Sequence, residues 1–163
     1  MSIYKVKIKN FILYSYQFGS KINFGWWIMK ITTKGRYAVA VMLELATNYE
    51  KDEFLSLKDI SEKEGISLKY IEKIMLDLKK QDFFITSRGQ EGGYKLKYSP
   101  DKYTIGEIIN SVEKDLAPAS CVKEDNSCEK QGICKTYPVW KDLNDEMTKY
   151  LNSKTLSDYI ERK

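Results

Sequence analysis

Three cysteines stand close together in CVKEDNSCEKQGIC, which runs from Cys121 to Cys134 with the spacing C-x6-C-x5-C. They are the only cysteines of the chain, and it has no histidine. Thiolates at short spacings are the ligand set of iron–sulfur clusters and of zinc. A polar segment that includes Gly132 can turn three sulfurs about one small centre. Structural zinc takes four closed ligands, and only three are evident. The same thiols could instead form one disulfide with one left over, serve as redox thiols, or stay idle. Other chemistry is poorly supplied. There is no nucleophile–base pair and no phosphate-binding glycine loop ahead of a helix, so an enzyme is not expected.

A second group of residues is suited to DNA. Ile71, Ile74, Met75 and Leu78 form the apolar stripe of a helix that Ser67 can cap. The stripe turns Lys69, Tyr70, Glu72, Lys73, Lys79 and Lys80 outward. Lys69 and Lys73 can reach phosphates or guanine acceptors, Glu72 can accept from cytosine, and Tyr70 can touch a phosphate or a thymine methyl. Shortly after comes FFITSRGQEGGYKLKY, with two β-prone runs around Arg88-Gly89-Gln90-Glu91-Gly92-Gly93. The glycines suit a hairpin loop, and Arg88 at its tip suits a minor groove. Exposed Lys/Glu faces are often only solvated, so the helix alone is ambiguous and the hairpin tips the reading toward DNA.

The elements that must position these groups follow from patterning. Ala38, Val41, Met42 and Leu45 mark an amphipathic helix from Gly35 to Thr47. Ser56, with Asp59 three residues on, opens a second helix that ends at Glu64 before the turn Gly65-Ile66-Ser67. The third helix runs to about Gln81 and the hairpin follows. Thr104-x-x-Glu107 is a capping box for a fourth helix to about Val112. Leu116 to Thr136 is irregular. Val139, Trp140, Leu143, Met147, Tyr150 and Leu151 then form one wide apolar face on a long helix, and a short helix follows Lys154. The expected fold is mainly α with a small β-hairpin wing: a winged helix-turn-helix with a long C-terminal helix.

Charged residues at 31% and hydrophobic residues at 42% describe a globular chain, and no apolar run approaches the ~20 residues that span a bilayer. The odd cysteine count and the lack of an export signal place the protein in a reducing cytoplasm. The net charge of +4 arises wholly within residues 1–28, which carry Lys5, Lys7, Lys9 and Lys21 and no acid. That segment fits neither a signal nor a transit peptide. Gly25-Trp26-Trp27 requires G-rich codons just ahead of Met29, as a translated ribosome-binding site would. Residues 1–28 are therefore expected to be an over-called extension, the alternative being a real peripheral arm. The expected organisation is 29–98 for the DNA-binding domain, 99–136 for a connecting helix and sensor loop, and 137–163 for a dimerisation helix and tail.

MKITTKGRYAVAVMLELA, DISEKEGISLKYIEKIMLDLKKQDFF, SRGQEGGYKL, IGEIINSVE and CKTYPVWKDL resemble, in order, the Rrf-two family of IscR-, CymR- and NsrR-type winged-helix regulators. The likeness spans Met29 to Ile160, and it is nearest in pattern to the cluster-binding, IscR-like members. It rests on the Gly-Arg-Tyr-Ala entry, the Gly-Ile-Ser-x-x-Tyr-x-Glu segment and the Arg-Gly-x-x-Gly-Gly-Tyr wing. The resemblance implies a homodimeric transcription factor, mostly a repressor, on double-stranded promoter DNA. It places recognition on Lys69, Tyr70, Glu72 and Lys73, with the wing contact on Arg88 and its glycines, and dimerisation on the Val139–Leu151 stripe. It implies a two-iron or four-iron iron–sulfur cluster on Cys121, Cys128 and Cys134. The fourth ligand of the family departs here: Tyr137 stands where a histidine would be, and Arg36 where another branch uses an acid. Glu124, Asp125, Glu129, Tyr137 or an exogenous thiol are the candidates. The alternative implied by the family is a cluster-free regulator of cysteine metabolism that acts with a sulfur-metabolism enzyme, its cysteines being redox thiols.

Overall fold

The computed structural model describes residues 31–89, 92–123 and 128–160 of the chain. The expectations for residues 1–28, for Gln90 and Glu91, and for Glu124 and Asp125 as ligands lie outside the described residues.

The first helix, α1 (Thr33–Thr47), starts ahead of Gly35 because its first amides find acceptors on both sides. The Thr32 hydroxyl accepts from the Lys34 and Gly35 amides, and Glu113 Oε1 accepts from the Thr32 amide (3.0 Å) and the Gly35 amide (3.1 Å). A carboxylate from a distant element thus caps this helix and favours its positive end. The second helix, α2 (Leu57–Glu64), opens on Ser56, whose Oγ accepts from the Asp59 amide at 3.1 Å. It stops at Gly65, which takes a left-handed φ of 64° that a side chain would resist.

The third helix, α3 (Leu68–Leu78), buries Ile71, Ile74, Met75 and Leu78 as its apolar stripe predicts. It ends sooner than expected. Residues Lys79–Gln81 tighten into a 3-10 turn that closes on Asp82, itself left-handed at φ 56°. Strands β1 (Phe84–Ser87) and β2 (Gly93–Leu96) pair antiparallel, from Phe84 opposite Leu96 to Ser87 opposite Gly93. Helix α4 (Ile105–Val112) carries the full capping box: the Thr104 hydroxyl accepts from the Glu107 amide and Glu107 Oε2 accepts from the Thr104 amide. Two 3-10 turns, Ser120–Val122 and Gln131–Ile133, bracket the cysteine segment. The long helix α5 (Tyr137–Asn152) follows, then the short α6 (Ser157–Ile160).

One core holds α1, α2, α3 and α4 together. Val41, Met42, Ile71, Ile74, Leu78 and Ile108 are fully inaccessible there, and side chains of this kind each contribute roughly 1.5–3 kcal/mol on burial. Leu156 is as buried as these and belongs to the same cluster. Residues 137–163 read as helix and tail from the sequence, yet the chain turns back after α5. The Ile105 amide donates to the Lys154 carbonyl (2.7 Å) and the Leu156 amide to the Tyr103 carbonyl (3.0 Å), a short antiparallel bridge at Thr104 and Thr155. Leu156 itself fills the core. No described helix is long and apolar enough to cross a membrane.

Candidate nucleic-acid interface and cysteine segment

The turn ahead of α3 is fixed by its own bonds. The Ser61 hydroxyl donates to the Ile66 carbonyl at 2.6 Å, and the Ser67 carbonyl accepts from the Tyr70 and Ile71 amides. The Ser67 side chain caps nothing in α3, contrary to the expectation from sequence. Its hydroxyl stands exposed at the helix start beside Lys69, Glu72 and Lys73, all exposed. Lys69 and Lys73 have no acidic partner among the described residues. Their charge is therefore available to phosphate or base edges.

One outward assignment changes. Tyr70 is half-buried, its ring edge-on to Tyr37 at 5.7 Å, because its position borders the apolar stripe and Tyr37 offers an aromatic face. Lys79 and Lys80 face outward as expected but are engaged: Lys79 lies over the Tyr94 ring at 5.6 Å, and Lys80 pairs with Asp77 at 2.6 Å. Leu76, which sequence reasoning passed over, is 68% exposed on the same face as Lys69, Glu72 and Lys73. Its spacing of seven from Lys69 was the available signal.

Arg88 and Gly89 are exposed where β1 ends, and Gly92 and Gly93 lead into β2. Gly93 is required by proximity, since a Cβ there would lie 2.3 Å from the Leu55 carbonyl oxygen. That closeness lets Leu55 and Tyr94 exchange backbone bonds of 3.0 and 2.9 Å, so the chain ahead of α2 extends the hairpin as a third short edge. The base of the wing is thus joined to the helix pair, and Arg88 stands beyond a fixed support.

The cysteines lie beside the start of α5. Cys121 and Cys134 are half-buried, Cys128 is exposed, and none of the three is in a disulfide. Cys134 Sγ is 3.3 Å from Thr136 Oγ1. Hydrogen bonding from the Thr136 side chain, then its backbone, holds this thiol below its usual range. The Cys134 carbonyl accepts from the Tyr137 amide at 3.3 Å. Cys121 and Tyr137 line one open cavity of about 340 Å³, together with Lys141 and Asp145. Asp145 is paired with Lys141. Arg36 is exposed and donates to Thr33 Oγ1 at 3.3 Å. Among the described residues no three Cys, Asp or Glu side chains gather to hold a metal ion, and Cys121 and Tyr137 share only the lining of that open cavity. The donors nevertheless suit a thiolate-ligated group in kind: three cysteine thiols, with the acidity of Cys134 raised by its hydrogen bonds.

The α5 stripe forms one wall of a groove of about 710 Å³ lined by Ile31, Leu116, Leu143, Met147, Tyr150 and Leu151. Val139 and Tyr150 are 60% and 58% exposed, and no residue of α5 is fully buried.

Helix pair, tight turn, recognition-type helix and hairpin wing define a winged helix-turn-helix protein. Residues 31–162 match the Rrf2 family, described as an iron-dependent transcriptional regulator, and the chain belongs to that family. It is 37% identical over 132 residues to the HTH-type transcriptional regulator IscR of Cronobacter sakazakii, covering 81% of this chain and 80% of that protein. In structure it is similar to CymR, the global cysteine regulator of B. subtilis (34% identity, TM-score 0.66, 80% of this chain and 95% of that one). It is also similar to T. potens IscR (32% identity, TM-score 0.63, 79% and 84%). These relatives are transcriptional regulators, not enzymes, and this chain is an IscR-like transcriptional regulator.

Proposed function

We propose that the protein is a homodimeric, cytoplasmic repressor that reads promoter DNA through α3 and the wing and senses iron–sulfur cluster or redox status through its three cysteines. The observation that carries the DNA part is the exposed start of α3, where Lys69 and Lys73 have no acidic partner among the described residues, together with a hairpin whose first strand leads to exposed Arg88. Ser67, Lys69, Glu72 and Lys73 meet the major groove, with Tyr70 contributing its hydroxyl from a ring held by Tyr37. Arg88 and the wing glycines follow the minor groove. Two copies pair through α5, which places two recognition helices on half-sites about one helical turn apart.

Cys121, Cys128 and Cys134 would hold the cluster, and when bound it would supply an oxidant-sensitive link among three sulfurs. The chain's own part is to favour ionisation of Cys134 through Thr136 and to place Tyr137 on the same cavity as Cys121. Protein reconstituted anaerobically with iron and sulfide is expected to absorb in the visible and to change its retardation of its own promoter DNA on oxidation. Lys69→Ala and Arg88→Ala should each weaken that retardation and reduce its salt dependence. A colourless protein that contains zinc would end the cluster assignment.

A second reading is a cluster-free regulator of cysteine metabolism that works with a sulfur-metabolism enzyme, its cysteines acting as redox thiols. It draws on the likeness to CymR, the global cysteine regulator of B. subtilis. Promoter binding indifferent to iron and sulfide, but lost on thiol oxidation, would favour it.

A further inference from the structure

The buried Tyr103 is 1% exposed, and its hydroxyl bonds both strand ends at the foot of the wing. The hydroxyl accepts from the Tyr98 amide at 2.7 Å, just past β2, and donates to the Phe83 carbonyl at 3.0 Å, just before β1. Its ring meets Phe83 edge-on at 5.4 Å. The main chain of the same residue faces the other way, where its carbonyl accepts from Leu156 directly after α5. The neighbouring Ile105 amide completes that bridge through Lys154. One residue therefore touches the base of the hairpin through its side chain and the segment that follows the long helix through its backbone.

We propose that Tyr103 is a positioning residue for DNA reading: it ties the segment that follows α5 to the foot of the wing and so sets where Arg88 is presented. This rests on the reading of the wing as a DNA contact. A two-stranded hairpin is weak alone, so its aim depends on what grips its base. Here the Leu55–Tyr94 bridge grips one edge and the Tyr103 hydroxyl grips both strand ends. A hydroxyl that satisfies a strand-end amide in a buried place does so at a fixed angle. Any shift of α5 that moves residues 154–156 is transmitted through the same residue to the hairpin.

The test is a double-mutant cycle on full-length protein, read by fluorescence anisotropy with double-stranded DNA from upstream of its own coding sequence. Tyr103→Phe keeps the ring and removes the two wing bonds. It is expected to bind about fivefold more weakly, the size of one lost hydrogen bond, while its mass in solution and helical circular dichroism stay those of wild type. The signature of positioning is that Tyr103→Phe adds little further loss in an Arg88→Ala background. Phe83→Leu, which loosens the same joint from the wing side, should behave alike and stands in if Tyr103→Phe folds poorly. Arg88→Ala weakened with both joint variants at wild-type affinity, or with losses that simply add, overturns the inference and leaves the wing reading intact. Arg88→Ala at wild-type affinity overturns the wing reading and the inference with it.

Discussion

Lys34 and Asp77 form an ion pair that joins the first turn of α1 to α3, and Lys34 Nζ also donates to the Val112 carbonyl at 3.1 Å. Val112 ends α4, and its neighbour Glu113 caps α1. The point where the chain leaves the helical core for the cysteine segment is therefore bonded to α1 directly and to α3 through Lys34.

This pair gives an acid dependence. Hydrogen bonds from Lys34 and then Lys80 lower the Asp77 carboxyl from 3.8 to about 2. A carboxylate depressed in the folded state stabilises fully above its unfolded value, and the contribution fades as pH falls from 3.8 toward 2. Asp77→Asn should cost about 1 kcal/mol at neutral pH, given partial solvent screening, and almost nothing near pH 2. Urea unfolding at both pH values checks this; a gap that persists unchanged in acid would exclude the ion pair as its source.

Close packing at the far end of α5 gives a second expectation. A Cβ on Gly106 would lie 2.0 Å from Asn152 Oδ1 and 3.3 Å from the Asn152 main-chain nitrogen. Gly106→Ala should destabilise by about 1–3 kcal/mol, as overpacking does. Asn152→Ala is solvent-facing and should be nearly neutral alone, yet restore much of the loss in the double variant. Additive thermal shifts would show that the two residues do not meet.

The α5 groove predicts oligomeric state. Met147→Asp places a charge in the groove between Leu143 and Leu151, which a partner helix could not cover without burying it. Sedimentation should give a dimer for wild type and a monomer for the variant, with helical content retained. Equal masses would place the dimer contact elsewhere.

Thiol reactivity provides a fourth. With Cys121 and Cys128 changed to serine, Thr136→Val removes the hydroxyl that favours the Cys134 thiolate. Alkylation at neutral pH should slow, and the midpoint of its pH–rate curve should move up. An unmoved midpoint would assign the thiol's acidity to the helix start alone.

Much of this fold is legible in sequence wherever the cause is local. Ser56 with Asp59, Thr104 with Glu107, and Gly65 each announce a helix boundary through bonds within a few residues, and the stripe from Ile71 to Leu78 follows from helix period. What stayed hidden depends on distant partners. Glu113 capping α1, Tyr37 holding Tyr70 half-buried, Tyr103 under the wing and Leu156 in the core are all contacts between residues far apart in the chain. Ser67 looked like a cap because its type and place suit one, but its carbonyl, not its hydroxyl, serves α3. The cysteine spacing names the donors and says nothing of how the sulfurs stand to each other.

Leu156 lies beyond α5 in chain order, yet it completes the interior formed by helices made much earlier. During synthesis the helical core can therefore close only after α5 has been made. A chain interrupted ahead of Leu156 keeps a gap in its core and loses the clasp at Tyr103.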